Sequence, residues 1–530
     1  CLSNMPPAPP TTPGPFGSKL LRKGSRTVLG MDPQKIIKNF FGANSGITIV
    51  VLVLIMVFLA REGAGFLSTY HHELEVYRKA GLEFCDIADT PLKQQQQLTS
   101  ALRRAKASAS SDEAKTALGD AEDAFDTAIE PADEIVSELK THATETKELA
   151  NEFHTLEVGR LQLLAAAEST SDPAKKADLL KEAELSKVDA PNYEERIATV
   201  LERREELAKA LTDYTTVLET AAATLPDAVS DVKKAVPAHI AEVRAAVKKL
   251  ETWSWQEPVS FFTAARSFFF GTGWITNSSW QDFYGVVPLL TGSLLISLVA
   301  LLIATPISVS AAIYTNQFAT DREKEIGLII IGNIEAIPSV VLGFIGIAVV
   351  GDLIKGVSQW EILSWIPGFP IQERLNIFNA GFLLAFMAVP TMFSLAEDAL
   401  NNVPRAYSEA SDALGATKLQ TVFRVIVPAA ISGILAAILL GLGRVIGETM
   451  VVLLVAGNRI AIPDFGDGLG VIFQPAHTLT GIIAQELGEV SRGSSHWQAL
   501  FMVGILLFVI SLSVNWCART IAKRFEHPKA

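Results

Sequence analysis

The chain has 530 residues, of which 49% are hydrophobic, and its formal net charge is −12. Residues 61–250 hold 36 of the 57 acidic side chains and 24 of the 45 basic ones, so this segment carries the whole net charge. The remainder is neutral and contains long apolar runs. The composition therefore predicts an acidic soluble domain inserted into a membrane protein, and it gives no reason to expect a nucleic-acid partner.

The N-terminal segment 1–43 is rich in Pro and basic residues, and we expect it to be cytoplasmic and partly disordered. It begins with Cys1, whereas Met31 opens the run MDPQKIIKNFFG, so we expect Met31 to be the true start. The next segment, 44–61, is long and apolar enough to span a membrane. It is too long for a secretory signal peptide, and no small-residue cleavage site follows it.

Residues 62–254 form the predicted insert. They contain Ala, Leu, Glu and Lys at helical spacing and very little strand signal, which predicts an elongated antiparallel helical bundle. No metal-binding cluster and no cofactor are expected there, and the acidic charge would repel a phosphate ion. The expected helices are 68–108, 112–155, 157–186, 192–222 and 226–252.

The region 255–520 is the predicted transmembrane domain, and a cytoplasmic tail, 521–530, follows it. Fifteen Lys and Arg residues lie on one predicted side of the membrane and five in short segments on the other. The positive-inside rule then predicts cytoplasmic termini and an extracytoplasmic insert, as in a bacterial inner-membrane protein. The five further membrane helices are expected at about 285–314, 326–350, 378–397, 429–457 and 497–518.

A polar stretch between two of these segments reads PRAYSEASDALGATKLQTVFRVIVP (404–428). It resembles the cytoplasmic coupling loop of ABC-type importer permeases, in which a short helix docks into a cleft on an ATPase subunit. GLGRVIGETMVVLLVAGN (441–458) and IPSVVLGFIG (337–346) extend the resemblance to the phosphate-specific ABC importer permeases of the PstC type. The resemblance implies an all-α fold: a six-helix transmembrane permease core with the helical insert between its first and second membrane helices.

The resemblance also implies function and partners. The chain would form the translocation pathway for inorganic phosphate with a second permease, of the PstA type, in contact with membrane lipid. An ATPase subunit dimer and an extracytoplasmic phosphate-binding protein would complete the importer. The sequence leaves open whether the chain pairs with a different permease or with itself. The residues expected to couple to the ATPase are Glu409, Ala410, Gly415, Ala416, Thr417 and Pro428.

Arg444 and Glu448 lie inside an apolar segment, where charges are costly and usually mark a transport pathway. Their spacing of four predicts one helical face and an ion pair, in which Glu448 would limit how tightly Arg444 binds an anion. Arginine suits phosphate because its guanidinium is a fixed fork of donors. The GRxxGET run implies a pathway role for Thr449 as well, and Ser339 is a candidate pathway hydroxyl. Residues expected to break or pack helices are Pro338, Gly443 and Gly447.

Glu335 is unexpected, because the related motif usually has a small residue at this position and an acid would repel an anion. We expect it either to face the cytoplasm or to pair with a neighbouring subunit. The chain contains no G-x-x-x-x-G-K-[ST] motif, so it cannot itself hold ATP in a P-loop and is not expected to be an enzyme. The alternatives are a permease for another oxyanion such as molybdate or sulfate, a passive anion channel, and a membrane sensor with a helical extracytoplasmic domain.

Overall fold

The computed structural model describes residues 33–108, 112–170, 172–224, 230–276, 278 and 281–524. Residues 1–32 of the expected N-terminal lead, with Met31, and the tail residues 525–530 lie outside this range, whereas residues 33–43 of the lead are helical. The chain divides into two units, Cys1–Glu62 and Gly63–Ala530. Helix α1, Pro33–Ala64, accounts for the described residues of the first unit.

The first part of the second unit is helical. Its described helices are α2 (Phe66–Lys79), α3 (Leu82–Ser108), α4 (Asp112–Ser169), α5 (Pro173–Leu185), α6 (Tyr193–Glu202), α7 (Arg204–Thr224) and α8 (Ser230–Thr252). Side chains of α3, α4, α7 and α8 share one apolar core, which includes Leu102, Phe125, Tyr214 and Val243. Burial of each large apolar side chain contributes about 1.5–3 kcal/mol. The predicted helical bundle is therefore confirmed.

The helix ends within the bundle differ from expectation at three places, one of which is Arg203, where predicted helix 192–222 divides into α6 and α7. The predicted helix 68–108 is two helices, because Gly81 adopts a left-handed φ of +84° between α2 and α3. The break expected near residue 156 is absent from the described chain, and α4 runs for 58 residues to Ser169. Helix α5 then begins at Pro173 with Asp172 as its N-cap.

Helix α2 packs against the transmembrane part of the chain. Its Phe66 and Tyr70 are fully buried among aromatic side chains that include Phe268 and Tyr284. The predicted insert, 62–254, therefore begins with a helix whose aromatic face belongs to the membrane domain. The periodic pattern of α2 indicates a buried face but does not identify the residues that cover it.

The remaining helices form the permease core. They are α9 (Phe261–Phe270), α10 (Val287–Gln317), α11 (Asp321–Glu335), α12 (Ser339–Ile345), α13 (Gly351–Ser358), α14 (Ile377–Asn401), α15 (Arg405–Ala413), α16 (Lys418–Thr421), α17 (Val427–Ile446), α18 (Met450–Val455), α19 (Leu479–Glu486) and α20 (Ser495–Arg524). Between α9 and α10, strands β1 (Trp274–Ile275) and β2 (Phe283–Tyr284) pair antiparallel, with Trp274 opposite Tyr284.

Irregular turns interrupt this series. π-helical turns occupy Gly346–Val350 and Val422–Ile426, and 3₁₀ turns occupy Glu361–Leu363 and Phe465–Phe473. The first π-helical turn joins α12 to α13, and the second joins α16 to α17.

Six stretches in the described chain are long and apolar enough to cross a membrane, which matches the predicted number. They are Lys38–Lys79, Val287–Gln317, Ser339–Ser358, Ile377–Asn401, Lys418–Ile446 and Ser495–Ile521. The first, third and fifth differ from the predicted segments, and the first runs from Lys38 to Lys79 where 44–61 was expected. Pro338 has an extended backbone (ψ 138°) and divides predicted helix 326–350 into α11 and α12. Predicted helix 429–457 ends at Ile446, because residues 447–449 leave the helix.

Helices α10, α14 and α17 pack against one another through small residues. Lipid tails are as apolar as leucine, so helix association in a membrane depends on close contact and not on exclusion of water. A Cβ at Gly433 would lie 2.4 Å from that of Ala399, and one at Gly441 would lie 2.4 Å from Met392. These two glycines of α17 therefore allow α14 to approach closely.

Candidate functional site

The polar stretch 404–428 folds into two short helices joined by a tight turn. Helix α15 ends at Ala413, and Gly415 adopts φ +78°, the left-handed conformation that glycine accepts without steric cost. The backbone N–H of Gly415 donates to Asp412 O at 2.9 Å, and that of Ala416 donates to Ser411 O at 3.2 Å. The turn thus satisfies carbonyls at the end of α15.

Thr417 begins the next helix with a capping box. Its side chain accepts from the N–H of Gln420, and the Gln420 side chain accepts from the N–H of Thr417. The helix continues through the π-helical turn into α17, which starts just before Pro428. A proline ring clashes with the carbonyl four residues earlier, here Arg424, and that residue lies in the widened turn. The irregular turn therefore accommodates Pro428.

The turn between α15 and α16 presents apolar side chains to its surroundings. Leu414 is 89% exposed, and Leu419 and Phe423 are each about 60% exposed. Glu409 and Ala410 are also exposed, whereas Ser411 is buried and hydrogen-bonds Thr421 at 2.8 Å. The bond fixes α15 against the following helix, so the exposed side chains on both are held in place. Tyr407 of α15 is also exposed. We call Tyr407, Leu414, Leu419 and Phe423 the apolar loop surface.

Arg444 lies in the last turn of α17 and contacts two other helices. Its Nη1 donates to Thr391 Oγ1 of α14 at 2.5 Å and to Glu335 Oε1 of α11 at 3.3 Å. The Arg444 side chain is 36% exposed and that of Glu335 is 52% exposed. The guanidinium is therefore held by a hydroxyl and a carboxylate while part of it remains accessible.

The predicted ion pair between Arg444 and Glu448 is wrong. Helix α17 ends at Ile446, so Glu448 lies in the break after it and the two residues do not share a helical face. Among the described residues, the acidic partner of Arg444 is Glu335. Glu335 therefore pairs within its own chain, and neither expectation for it, a cytoplasmic position or a neighbouring subunit, anticipated this contact.

The break after α17 lines a cavity of about 680 Å³. Gly447 and Thr449 lie on its wall together with Thr480 and Arg492. The hydroxyl of Thr480 donates to the carbonyl oxygen of Glu448 at 2.8 Å, which ties the break to α19. Thr449 thus lies beside a largely apolar opening that has a few polar side chains on its wall, and Arg444 is not among the residues that line it.

The other predicted residues lie at helix ends and helix contacts. Pro338 is the N-cap of α12, and Ser339 is the first residue of that helix and is half-buried. Gly443 faces Asn515 and Val514 of α20 at ordinary contact distance, and Gly447 is the C-cap of α17. Gly433 and Gly441, which were not singled out from the sequence, make the closer approach to a neighbouring helix.

Thr391 is the site residue that sequence reasoning missed. It follows Pro390, a proline inside α14, and a proline in a membrane helix leaves backbone groups that commonly line a cavity. Pro390 could have indicated the position of Thr391 from the sequence, but not its contact with Arg444. No group of three or more His, Cys, Asp or Glu residues in the described part of the chain could hold a metal ion.

Comparisons with known proteins identify the family of this chain. The profile of the family "Binding-protein-dependent transport system inner membrane component" matches residues 304–527. The chain is 30% identical over 268 residues to the phosphate transport system permease protein PstC of Pasteurella multocida, covering 48% of this chain and 81% of that protein. It is 31% identical over 271 residues to PstC of Haemophilus influenzae, covering 49% and 84%.

A further relative is the probable ABC transporter permease protein YqgH of Bacillus subtilis, 33% identical over 241 residues, which cover 46% of this chain and 72% of that protein. These matches agree with the six apolar stretches and with the almost wholly helical fold. The chain therefore belongs to the binding-protein-dependent transport system inner membrane components, among the PstC-type ABC permeases.

Proposed function

We propose that this chain is the permease subunit of an ATP-driven importer of inorganic phosphate. It would form the pathway with a second permease of the PstA type and receive phosphate from an extracytoplasmic binding protein. The likeness to phosphate permeases over most of their length supports the substrate. The observation that carries the transport role is the rigid loop 404–428, which presents the apolar loop surface at one end of a membrane helix.

A separate ATPase dimer would dock on the apolar loop surface. ATP binding would bring the two ATPase subunits together, and the loops on the two permeases would move with them. The capping box at Thr417 and the turn at Gly415 would restrict the loop and help it to transmit this motion. Glu409 and Ala410 on α15 would contact the ATPase, because both are exposed.

This arrangement would require one orientation in the membrane. The loop, the termini and the tail would be cytoplasmic, and the bundle would lie outside the bacterial inner membrane, in agreement with the distribution of Lys and Arg. Arg444 would attract the phosphate anion, with Thr449 and Ser339 as further pathway groups. An arginine within a membrane-spanning segment costs free energy, so it is usually paired or takes part in transport.

The test is uptake of radiolabelled phosphate by cells that lack their own phosphate permease and express this chain with its partner permease, ATPase and binding protein. We expect uptake that requires ATP hydrolysis and that is lost when the ATPase P-loop lysine is replaced. If unlabelled molybdate or sulfate competed as well as unlabelled phosphate, the assignment of phosphate as the substrate would be contradicted. Uptake that does not depend on the ATPase would favour a channel.

A further inference from the structure

Helix α9 exposes phenylalanine side chains along one side. The exposed ones are Phe261, Phe262, Phe269 and Phe270. Their exposed fractions are 49%, 80%, 36% and 74% in chain order. At about 3.6 residues per turn these four positions fall on one half of the helix, and the fully buried Ala264 and Phe268 fall on the other. We call the four side chains the α9 aromatic face. An exposed apolar surface of this kind marks a contact with lipid or with another protein.

The C-terminal end of α9 is bound to the start of a membrane-spanning helix. The backbone N–H of Val286 donates to Phe268 O at 2.9 Å, and that of Val287 donates to Gly271 O at 3.3 Å. Val287 is the first residue of the spanning stretch Val287–Gln317. The α9 aromatic face is therefore continuous with the end of a helix that crosses the membrane.

A second spanning stretch begins beside the first. Tyr284 lies three residues before Val287, and its ring centroid is 5.9 Å from that of His496. His496 is the second residue of the spanning stretch Ser495–Ile521. Two spanning helices thus start side by side directly after α9, which indicates that α9 lies at a surface of the membrane.

The composition of α9 favours lipid over a protein partner. Its sequence, FFTAARSFFF, contains no acidic residue, and its one cation, Arg266, is exposed between Phe262 and Phe270 around the helix. Helices that lie in the membrane interface combine an apolar face of this kind with Lys or Arg. A long arginine side chain can keep its stem in apolar surroundings while its guanidinium reaches the lipid phosphates. A protein that covered this face would have to supply a partner for the buried charge.

We propose that the α9 aromatic face inserts into the phospholipid interface and that α9 thereby holds the base of the helical bundle on the membrane surface. Helix α9 is bound to α2, since the hydroxyls of Tyr70 and Ser267 hydrogen-bond at 3.0 Å. Helix α2 leads into the bundle through α3. Phe270 is nearer than Phe262 to the start of α10 along the chain, so Phe270 lies deeper in the lipid. This surface lies outside the six spanning stretches, and its assignment does not depend on the transported substrate.

The test places an environment-sensitive fluorophore on the α9 aromatic face. Phe262→Cys and Phe270→Cys are labelled with a nitrobenzoxadiazole dye in a chain whose Cys1 and Cys517 are replaced by serine, while Cys85 is buried and stays unlabelled. The chain is assembled with its second permease and ATPase in nanodiscs of phosphatidylcholine and phosphatidylglycerol. Matched nanodiscs contain phosphatidylcholine with a nitroxide near the top of its acyl chain, which quenches dyes in the interface.

Thr116→Cys is the control, because Thr116 is exposed near the start of α4. Lys106, close to the end of α3, pairs with Glu122 of α4, so the start of α4 lies one length of α3, about 40 Å, from α2. We expect quenching at position 270 to be at least about threefold that at position 116, because an interfacial helix buries its apolar face about 5–10 Å deep. Quenching at position 262 should be intermediate.

Three results would overturn the proposal. Equal quenching at positions 270 and 116 would place the α9 aromatic face in water. Quenching that occurs in the chain alone but is lost in the complex would show that the second permease covers this face. Stronger quenching at position 262 than at position 270 would contradict the proposed depth. Elution of each labelled complex on gel filtration, compared with that of the unmodified complex, checks that the variants assemble.

Discussion

Gly292 of α10 packs directly on the backbone of His477, so closely that a Cβ at position 292 would lie 2.0 Å from the carbonyl oxygen of His477. The neighbouring Ser293 accepts the backbone N–H of Leu479 at 3.0 Å, which fixes the start of α19 on the same helix. The segment before α19 therefore depends on a glycine in α10 for its position.

Gly292→Ala should destabilise the membrane domain, because a backbone carbonyl cannot rotate away as a side chain can. Overpacking typically costs about 1–3 kcal/mol, and a backbone contact this short lies at the upper end. The measurement is the melting temperature of the purified protein. Gly327→Ala is the control, because nothing lies within 4 Å of a Cβ there and alanine favours a helix. Equal melting temperatures would show that the segment 476–478 can shift.

Gly415→Ala should reduce phosphate uptake and ATPase co-purification through backbone strain alone. Position 415 has open space around it but a φ of +78°, where an ordinary residue costs roughly 1–2 kcal/mol. Gly415→Asn should retain more activity, since asparagine tolerates this conformation. Gly356→Ala, at another uncrowded glycine but within a helix, should behave like the unmodified protein. Normal uptake in Gly415→Ala would show that the turn can relax.

Leu414→Ser should weaken the association with the ATPase without lowering the amount of permease in the membrane. A leucine buried on association contributes about 1.5–3 kcal/mol, so binding should weaken roughly tenfold or more. Co-purification of the ATPase measures the change. Leu185→Ser is the matched control, because Leu185 is 78% exposed at the end of α5, in the bundle. The apolar loop surface would lose its assignment if both variants kept the ATPase equally well.

Arg444→Gln should reduce labelled-phosphate uptake by more than about tenfold, and Arg444→Lys should restore it only in part, because lysine has charge but no fork. Thr391→Val should lower uptake by a smaller factor, since it removes one hydrogen bond to a charged group, of about 1.5–3 kcal/mol. Membrane abundance is measured beside uptake for each variant. Arg322→Gln, an exposed arginine at the start of α11, is the control. Full uptake in Arg444→Gln would exclude Arg444 from the pathway.

Deletion of the bundle should succeed only if α2 is kept. Arg78 donates to the carbonyl oxygen of Glu257 at 3.2 Å, so the chain leaves and re-enters the membrane domain at neighbouring points. Removal of 81–254 with a short Gly-Ser linker should therefore leave a protein that assembles in the membrane. Removal of 66–250 also deletes the fully buried Phe66 and Tyr70 and should prevent assembly. Equal membrane abundance of the two deletions would contradict the placement of α2.

The sequence was sufficient for the fold class, the number of membrane stretches and the helical nature of the insert, because these depend on composition and local periodicity. It was not sufficient for contacts between distant positions. Glu335 and Arg444 are 109 residues apart, and the predicted partner Glu448 was chosen for its local spacing. The spacing rule failed because the helix ends at Ile446, and neither glycine at 443 or 447 indicated which of them would end it.

One continuous helix, Lys418–Ile446, connects the loop 404–428 with Arg444. Its 29 residues extend about 43 Å, with the capped turn at Thr417 before one end and Arg444 in the last turn at the other. A movement imposed at the loop would therefore be carried toward the guanidinium along one continuous helix. Since Glu335 and Thr391 belong to other helices, a rotation of this helix would separate Arg444 from both residues at once. Under the proposed function, release of the anion would then follow from the movement of the ATPase without a separate signal.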